Sequence, residues 1–424
     1  MKSLPALMSN SLKLTKVYFV SLGCPKNLVD SERILGSLEK HGVLITDSLE
    51  DSDIVVINTC GFIKPALKET ENEIKRILKI KNNKKVYGYG CAVNRASKSL
   101  MIKFPDITNW FTLEEKDDLI KTIINKNANL KSRLLTTSGY AYLKIADGCS
   151  NHCSYCTIPQ IKGEFKSVEF EDLINEAQAL AELGVKELII IAQDTARYGL
   201  ELYGKPMLVS LLKELSKIKG IEWLRILYAH PRSITNDLIS EIKNNSKVCK
   251  YLDMPIQHIN DRLLSLMNRS ITKKENFDII KRLRGVTLRT TVMVGFPTET
   301  EDEFNELYDF LKRGYFDWFG AFRYFREKGT FAAFFKPLSP VIINQRFQKI
   351  LRLQQTLINK KNHLRLNKYY KVLVHYKNRD VIGHTEFSAP EIDGQVIINS
   401  PDIKLGRFYT KKITKIKGAD LYAQ

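Results

Sequence analysis

From Lys16 onward the chain alternates short apolar runs with longer stretches in which apolar residues recur every three or four positions. Runs of the first kind, at 17–21, 54–58 and 86–89, read as buried strands. Between them, 27–41 and 65–79 read as amphipathic helices, the second with a proline in its first turn. Strands alternating with helices in this way build a parallel sheet. Signals weaken beyond Trp110, and 125–138 reads as a polar linker. A second series begins at Tyr140, with strands expected at 141–145, 187–192, 223–228, 251–253, 288–294 and 316–324. Helices such as 171–183, 206–219 and 299–312 lie between them. Six such units form an open (β/α) barrel, smaller than the eight-unit closed form.

The long basic stretch 339–367 reads as a helix leading out of that barrel. After it the pattern changes to short β runs at 371–376, 395–398 and 407–416, separated by turns such as Asp393-Gly394. These predict a small antiparallel β-barrel. The fold class is therefore α/β, organised as an extension (1–15), an amino-terminal parallel α/β domain (16–130), a partial barrel (139–365) and a terminal β domain (366–424).

A length of 424 residues suits two or three such domains, each with its own core. The formal net charge of +19 favours contact with phosphate-rich partners. Yet the chain is rich in Lys, Asn and Ile throughout, and such a composition carries this charge without a nucleic-acid partner. Lys404, Arg407, Lys411, Lys412, Lys415 and Lys417 gather on the expected final strand, which serves equally as an RNA-docking surface or a solvated face. Seven cysteines are too few for a disulfide scaffold in a chain this long, which points to a reducing cytoplasm. No run at the amino terminus is continuous enough for a signal-peptide core or a membrane span, so no membrane partner is expected.

The chemistry gathers on cysteine. In Cys149-Ser-Asn-His-Cys153-Ser-Tyr-Cys156 three thiols lie close enough in sequence to reach one small inorganic object. A zinc site normally takes four ligands, often as two separated pairs, whereas an iron–sulfur cube held by three thiolates keeps one iron open. A partial zinc knuckle or three unrelated thiols are the plainer alternatives. Three further cysteines stand at strand carboxyl ends in the first series, in Gly23-Cys24, Thr59-Cys60-Gly61 and Gly90-Cys91. Strand carboxyl ends of a parallel sheet line one edge, where ligands bind. Singly each would be a buried structural cysteine; at three equivalent positions they suggest a second three-thiol site. Cys249 has no such companions and reads as a core residue. On the barrel rim with the first triad, the sequence places Gln193-Asp194-Thr195, Arg225, His230, Gln257-His258 and Gly295-Phe296-Pro297.

CxxxCxxC with Tyr155 before its last cysteine resembles the signature of the radical S-adenosylmethionine (SAM) superfamily. From Lys16 to the end the chain resembles one of its families, the methylthiotransferases, which carry a carboxy-terminal TRAM domain. That resemblance rests on the stretch from Gly23-Cys24-Pro-Lys-Asn27 to Glu32, on Asn58-Thr-Cys60-Gly-Phe-Ile63 and Gly90-Cys91, and on the CxxxCxxC triad. Gln193-Asp-Thr195, Asp253-Met-Pro-Ile-Gln-His258, Gly295-Phe-Pro297 and Pro390-Glu-Ile-Asp-Gly394 extend it. Cys24-Pro-Lys-Asn27, Cys60-Gly-Phe-Ile63 and Gln193-Asp-Thr195 are most similar to the branch that modifies a ribosomal protein, rather than the branches that modify transfer RNA.

The resemblance implies methylthiolation of the β-carbon of an aspartate in a small-subunit ribosomal protein of the decoding centre, free or in the assembled subunit. It implies two 4Fe–4S clusters, held by Cys149, Cys153 and Cys156 and by Cys24, Cys60 and Cys91, with SAM on the first and the transferred sulfur on the second. Tyr155, Gln193, Asp194, Arg225, Gln257 and Gly295 are implied as SAM-site residues. A reductant protein is implied as a partner, with ribosomal RNA contact through the TRAM domain. The chain departs from the family at Lys162 and Lys166, where arginines are common, at Glu299, where glycine is commoner, and at Tyr324-Phe-Arg326, which lacks a serine after the tyrosine. A transfer-RNA adenosine methylthiotransferase, or a non-enzymatic RNA-binding protein with structural clusters, are the competing readings.

Overall fold

The computed structural model describes residues 14–80, 82–126, 132–400 and 402–424, so the start of the expected extension and residues 127–131 of the expected linker lie outside the described residues. The chain divides into two compact units, Met1–Leu134 and Leu135–Gln424.

The first unit is a parallel five-stranded sheet. Its strands are β1 (Lys16–Ser21), β2 (Leu44–Thr46), β3 (Ile54–Thr59), β4 (Lys85–Gly90) and β5 (Asn109–Phe111), in the order β2-β1-β3-β4-β5. Every residue of β3 is buried, as a central strand covered on both faces requires. Helices α1 (Pro25–Lys40), α2 (Lys64–Lys79), α3 (Cys91–Lys103) and α4 (Lys116–Ile124) supply the cover. One apolar cluster joins Val17, Val56 and Tyr89 to Ile34, Leu38 and Leu119. Another joins Val55, Ile57 and Val86 to Ile74, Ile77 and Leu100. The β1, β3 and β4 readings hold to within a residue at each end, while the edge strands β2 and β5 and the helices α3 and α4 were not anticipated.

The second unit carries a six-stranded sheet of β6 (Tyr140–Lys144), β9 (Glu187–Ile191), β10 (Trp223–Ile226), β11 (Val248–Asp253), β12 (Thr287–Val294) and β13 (Trp318–Arg323). A small antiparallel pair, β7 (Ala146–Asp147) and β8 (Lys166–Ser167), lies between the first two. The order β13-β12-β11-β10-β9-β6, parallel throughout, is the expected open six-unit barrel. Alternation sorts its side chains: Leu143, Leu188, Ile190, Leu224, Leu252 and Leu288 pack outward under the helices. Tyr142, Arg225, Tyr251 and Arg289 occupy the opposite face.

That inner face is polar because the terminal domain reaches into it. The domain is a closed five-stranded barrel of β14 (Tyr369–Lys377), β15 (Val381–Thr385), β16 (Val396–Ile398), β17 (Phe408–Lys417) and β18 (Asp420–Ala423). It is antiparallel except where β16 pairs with β18. The basic strand is β17, and it is followed by β18, so it is not the last. From the β15–β16 connection, Glu391 accepts hydrogen bonds from Tyr140 (2.8 Å) and Tyr142 (3.2 Å), and Asp393 from Tyr251 (2.7 Å). Asp393 also faces Arg289 at 3.3 Å, and the Trp318 indole donates to the Phe387 carbonyl at 2.7 Å. These contacts involve the first residues of β6 and β13, so the β domain closes the barrel at the strands' amino ends. The opposite end is left for the site.

Candidate active site

The triad loop leaves β7 at the carboxyl end of the first barrel strand. Gly148 turns it with φ of +69°, where a Cβ would strike the Glu164 carbonyl, so only glycine fits. A second loop, following the helix Asp261–Leu266, holds it in place. Ser154 donates through its backbone to the Met267 carbonyl (3.0 Å) and through its hydroxyl to Leu266 (2.7 Å). Asn268 donates to the His152 carbonyl (2.9 Å), and His152 itself adopts φ of +49°.

Cys149 is buried, and Cys153 and Cys156 are half-buried. Burial raises the thiol of Cys156 to about 12, with the neighbouring Cys153 adding to it, and burial likewise raises Cys149. Thiols held neutral by burial become ligands when a metal replaces the proton. Among the described residues no three His, Cys, Asp or Glu side chains close on a single-ion position. A cubane asks for none, since each thiolate takes its own corner iron. The donors around the sulfurs suit such a group: the Ile158 N–H points to Cys156 Sγ at 3.5 Å, and Arg269 Nη1 lies 3.9 Å from Cys153 Sγ.

The rim residues divide by what they touch. Tyr155 packs edge-on to Phe296, which packs on Tyr324, an apolar wall that also takes in Met267 and Met293. Gln257 adopts φ of +65°, and its buried Oε1 has no hydrogen-bond partner in this structure, as a ligand-contacting polar atom would. Asp194 is committed: it accepts from the His230 N–H (3.1 Å), the Ser233 hydroxyl (2.7 Å) and Asn151 of the triad loop (3.1 Å). It braces that loop rather than presenting a free carboxylate. His230 beside it is kept neutral by burial, with Arg269 and Arg232 also opposing protonation, and its pKa falls to about 2.

Two of the expected SAM-site residues, Arg225 and Gly295, have structural partners of their own. Arg225 is wholly buried and donates to Glu187 (2.6 Å) and to the carbonyls of Glu386 (2.8 Å) and Thr385 (3.0 Å). Its guanidinium therefore clamps the β domain at the strands' amino ends. Gly295 is glycine because a Cβ there would meet Ile343 at 2.5 Å, and its N–H is taken by Glu299 (2.8 Å). Glu299, the departure noted in the sequence, is fully buried between His258 (3.3 Å) and Arg346. The structural role of Arg225 is testable. Arg225→Met leaves Glu187 buried without its main counter-charge, and unfolding free energy should fall by about 3–5 kcal/mol. Denaturant titration checks this, and SAM affinity of the folded variant should stay at the parent value.

In the first unit the three remaining cysteines stand at the ends of neighbouring strands. Cys24 is the N-cap of α1, Cys60 follows β3, and Cys91 opens α3 after Gly90 at φ of +103°. A Cβ on Gly23 would lie 2.8 Å from Cys60 Sγ, so the Cys24 loop crosses directly over that sulfur. Burial raises the Cys60 thiol, and the nearby Cys24 contributes. Asn27 ties all three strand ends together: its amide donates to Leu22 and Thr59 carbonyls (both 3.1 Å), and its Oδ1 faces Cys91 Sγ at 3.4 Å. Asn58 is locked by donating to Asn27 O and Ser31 Oγ (both 2.9 Å), while its buried Oδ1 has no partner.

Comparison with known proteins covers the whole architecture. Residues 143–311 match the radical SAM superfamily, 16–112 an uncharacterised protein family designated UPF0004, and 368–424 the TRAM domain. The ribosomal protein uS12 methylthiotransferase RimO of Acetivibrio thermocellus is 41% identical over 96% of this chain and 98% of its own length. That of Clostridium acetobutylicum is 42% identical over 96% and 97%. This chain belongs to the RimO family. Among solved structures, the radical SAM methyltransferase TsrM of Kitasatospora setae aligns over 73% of this chain and 72% of its own with a TM-score of 0.55, at 14% identity. The likeness to TsrM is one of fold.

As a RimO-family radical SAM protein, the chain takes a 4Fe–4S cluster and SAM. Arg197 and Arg269, each with a buried Nε lacking a partner, were not singled out from the sequence as members of this site. Arg197 stands two residues beyond the Gln193-Asp-Thr195 motif, and that proximity is the signal the sequence offers. Asn27 and Asn58 were likewise visible within their motifs, though not as the groups that hold the thiols' supporting backbone.

Proposed function

We propose that this protein methylthiolates the β-carbon of an aspartate in the small-subunit ribosomal protein uS12, working in the cytoplasm. The observation that carries this is the end-to-end match, at 41% and 42% identity, to relatives that bear the uS12 methylthiotransferase name. A β-carbon hydrogen is too weakly acidic for a general base of ordinary strength, so a carbon-centred radical has to remove it. The cluster and SAM together supply that radical when an external reductant protein delivers an electron.

The chain's own part is to hold and shield. Cys149, Cys153 and Cys156 would take three irons, leaving the fourth for SAM, with Gln257 and Gln193 as polar contacts and Tyr155 in the wall. Cys24, Cys60 and Cys91 would take a second 4Fe–4S cluster that carries the sulfur to be donated. Gly23 and Gly90 support this assignment, because a side chain at either would fill the space over Cys60 or against Asn58. The basic β17 would meet ribosomal RNA if the assembled subunit is the substrate.

The test compares cells with and without this gene, by intact mass of small-subunit ribosomal proteins and by analysis of modified transfer-RNA nucleosides. Loss of one methylthio group from uS12 alone is the expected result. Loss confined to a methylthiolated adenosine would replace the substrate assignment with transfer RNA.

A further inference from the structure

The buried guanidinium of Arg269 is the group in the second unit whose placement the proposed function leaves unexplained. It is 5% exposed, donates through Nη2 to the Pro255 carbonyl, presents Nη1 to Cys153 Sγ at 3.9 Å, and keeps a buried Nε without a partner. An arginine with so little water and so few acceptors is a costly thing to bury. Asp194 and the Tyr155 hydroxyl are the other polar groups that act on it, and Asp194 is already bound to Asn151, Ser233 and the His230 N–H. On its other side the acceptor that Arg269 reaches is the Cys153 sulfur.

Its backbone is fixed for that purpose. Arg269 N–H donates to Leu264 O at 3.0 Å, and the adjoining Met267 and Asn268 hold Ser154 and His152, the neighbours of Cys153 on either side. The loop that grips the triad thus delivers one permanent positive charge to one of its sulfurs. A guanidinium stays protonated under all working conditions, and in a dry site its attraction for charge is far stronger than in water.

We infer that Arg269 tunes the reduction potential of the cluster held by Cys149, Cys153 and Cys156, by donating a charged hydrogen bond to the Cys153 thiolate and favouring the more negative, reduced state. Hydrogen bonds to sulfur and net charge are the levers by which a protein sets such potentials. Arg269 acts through Cys153 and is a positioning residue. This inference rests on the reading of the three cysteines as cluster ligands.

The experiment uses the full-length holoenzyme, reconstituted anaerobically, as wild type, Arg269→Lys, Arg269→Gln and Arg269→Met. Iron and sulfide are counted, and the midpoint potential is titrated by following the electron paramagnetic resonance signal that changes on adding SAM. The Gln and Met variants should lower the reduced-to-oxidised ratio at the wild-type midpoint by about tenfold or more, which is about 59 mV for a one-electron couple. Arg269→Lys should fall between them and the wild type. A Gln or Met variant with full iron and the wild-type midpoint would overturn the inference. Iron loss in both, with full iron in the Lys variant, would also overturn it, by assigning the guanidinium to cluster retention. A wild-type protein with no SAM-responsive signal would instead defeat the cluster reading beneath it.

Discussion

A Cys153→Ala chain, reconstituted with iron and sulfide, should retain about half the parent's iron and form no detectable 5′-deoxyadenosine from SAM. Half is expected because two clusters of equal iron content are proposed, and each needs three thiolates. The loss of cleavage should exceed the roughly 10–100-fold typical of removing a group that merely hydrogen-bonds a metal's ligand. Folding is expected to survive, for reasons visible around the loop. Ser154 and His152 anchor the backbone on either side through Met267, Leu266 and Asn268, and the Cys153 carbonyl that accepts from Cys156 remains after the substitution. Cys249→Ala is the matched control. Cys249 lies buried on β11 near Arg225 and Glu187, where burial holds its thiol protonated. Its removal should leave iron content and SAM cleavage unchanged. Equal iron loss in both variants, or continued SAM cleavage without Cys153, would rule out the triad as the cluster site.

The two cysteine triads stand out in the sequence because their signals are local. Each first-unit cysteine follows an apolar run and adjoins a glycine, and a parallel sheet turns that repeated pattern into a shared edge. The long elements were equally plain: β3 is continuously apolar, and the helix Pro340–His363 keeps its pattern over six turns. What escaped was either short or long-range. β2 and β5 are three residues each, too brief for periodicity to register, and β15 is interrupted by Gly383 and His384. Arg225 reads as a ligand-site residue because it is a charged residue on a barrel strand. Its true partners, Thr385 and Glu386, lie some 160 residues further on, as the sequence separation of these hydrogen bonds shows. The packing partner of Gly295 is likewise remote in sequence, since the side chain it makes room for is Ile343 on the helix Pro340–His363. The partners of Asp194 were not legible either, because Asn151 and Ser233 reach it only once the loops are folded.

Cys60→Ala should separate the two chemistries that the proposal assigns to the two units. The variant is expected to retain about half the parent's iron and continue to cleave SAM, because Cys149, Cys153 and Cys156 are untouched. It should transfer no methylthio group to uS12. The substitution is a mild one structurally. Thr70 holds Cys60 through its main chain, receiving the N–H at 3.1 Å and donating to the carbonyl at 2.9 Å, and neither bond uses the sulfur. Asn27 and Asn58 fix the adjacent strand ends without it. Truncation leaves Gly23 facing a methyl group in place of the sulfur. Two measurements on one sample decide the matter: 5′-deoxyadenosine released, and the mass of uS12 after incubation. Deoxyadenosine without modified uS12 is the expected pair. Modified uS12 at the parent's rate would show that the sulfur does not pass through the Cys24, Cys60 and Cys91 site. Loss of both products with full iron on the triad would mean that SAM cleavage requires the first unit, and the division of labour between the two sites would have to be abandoned.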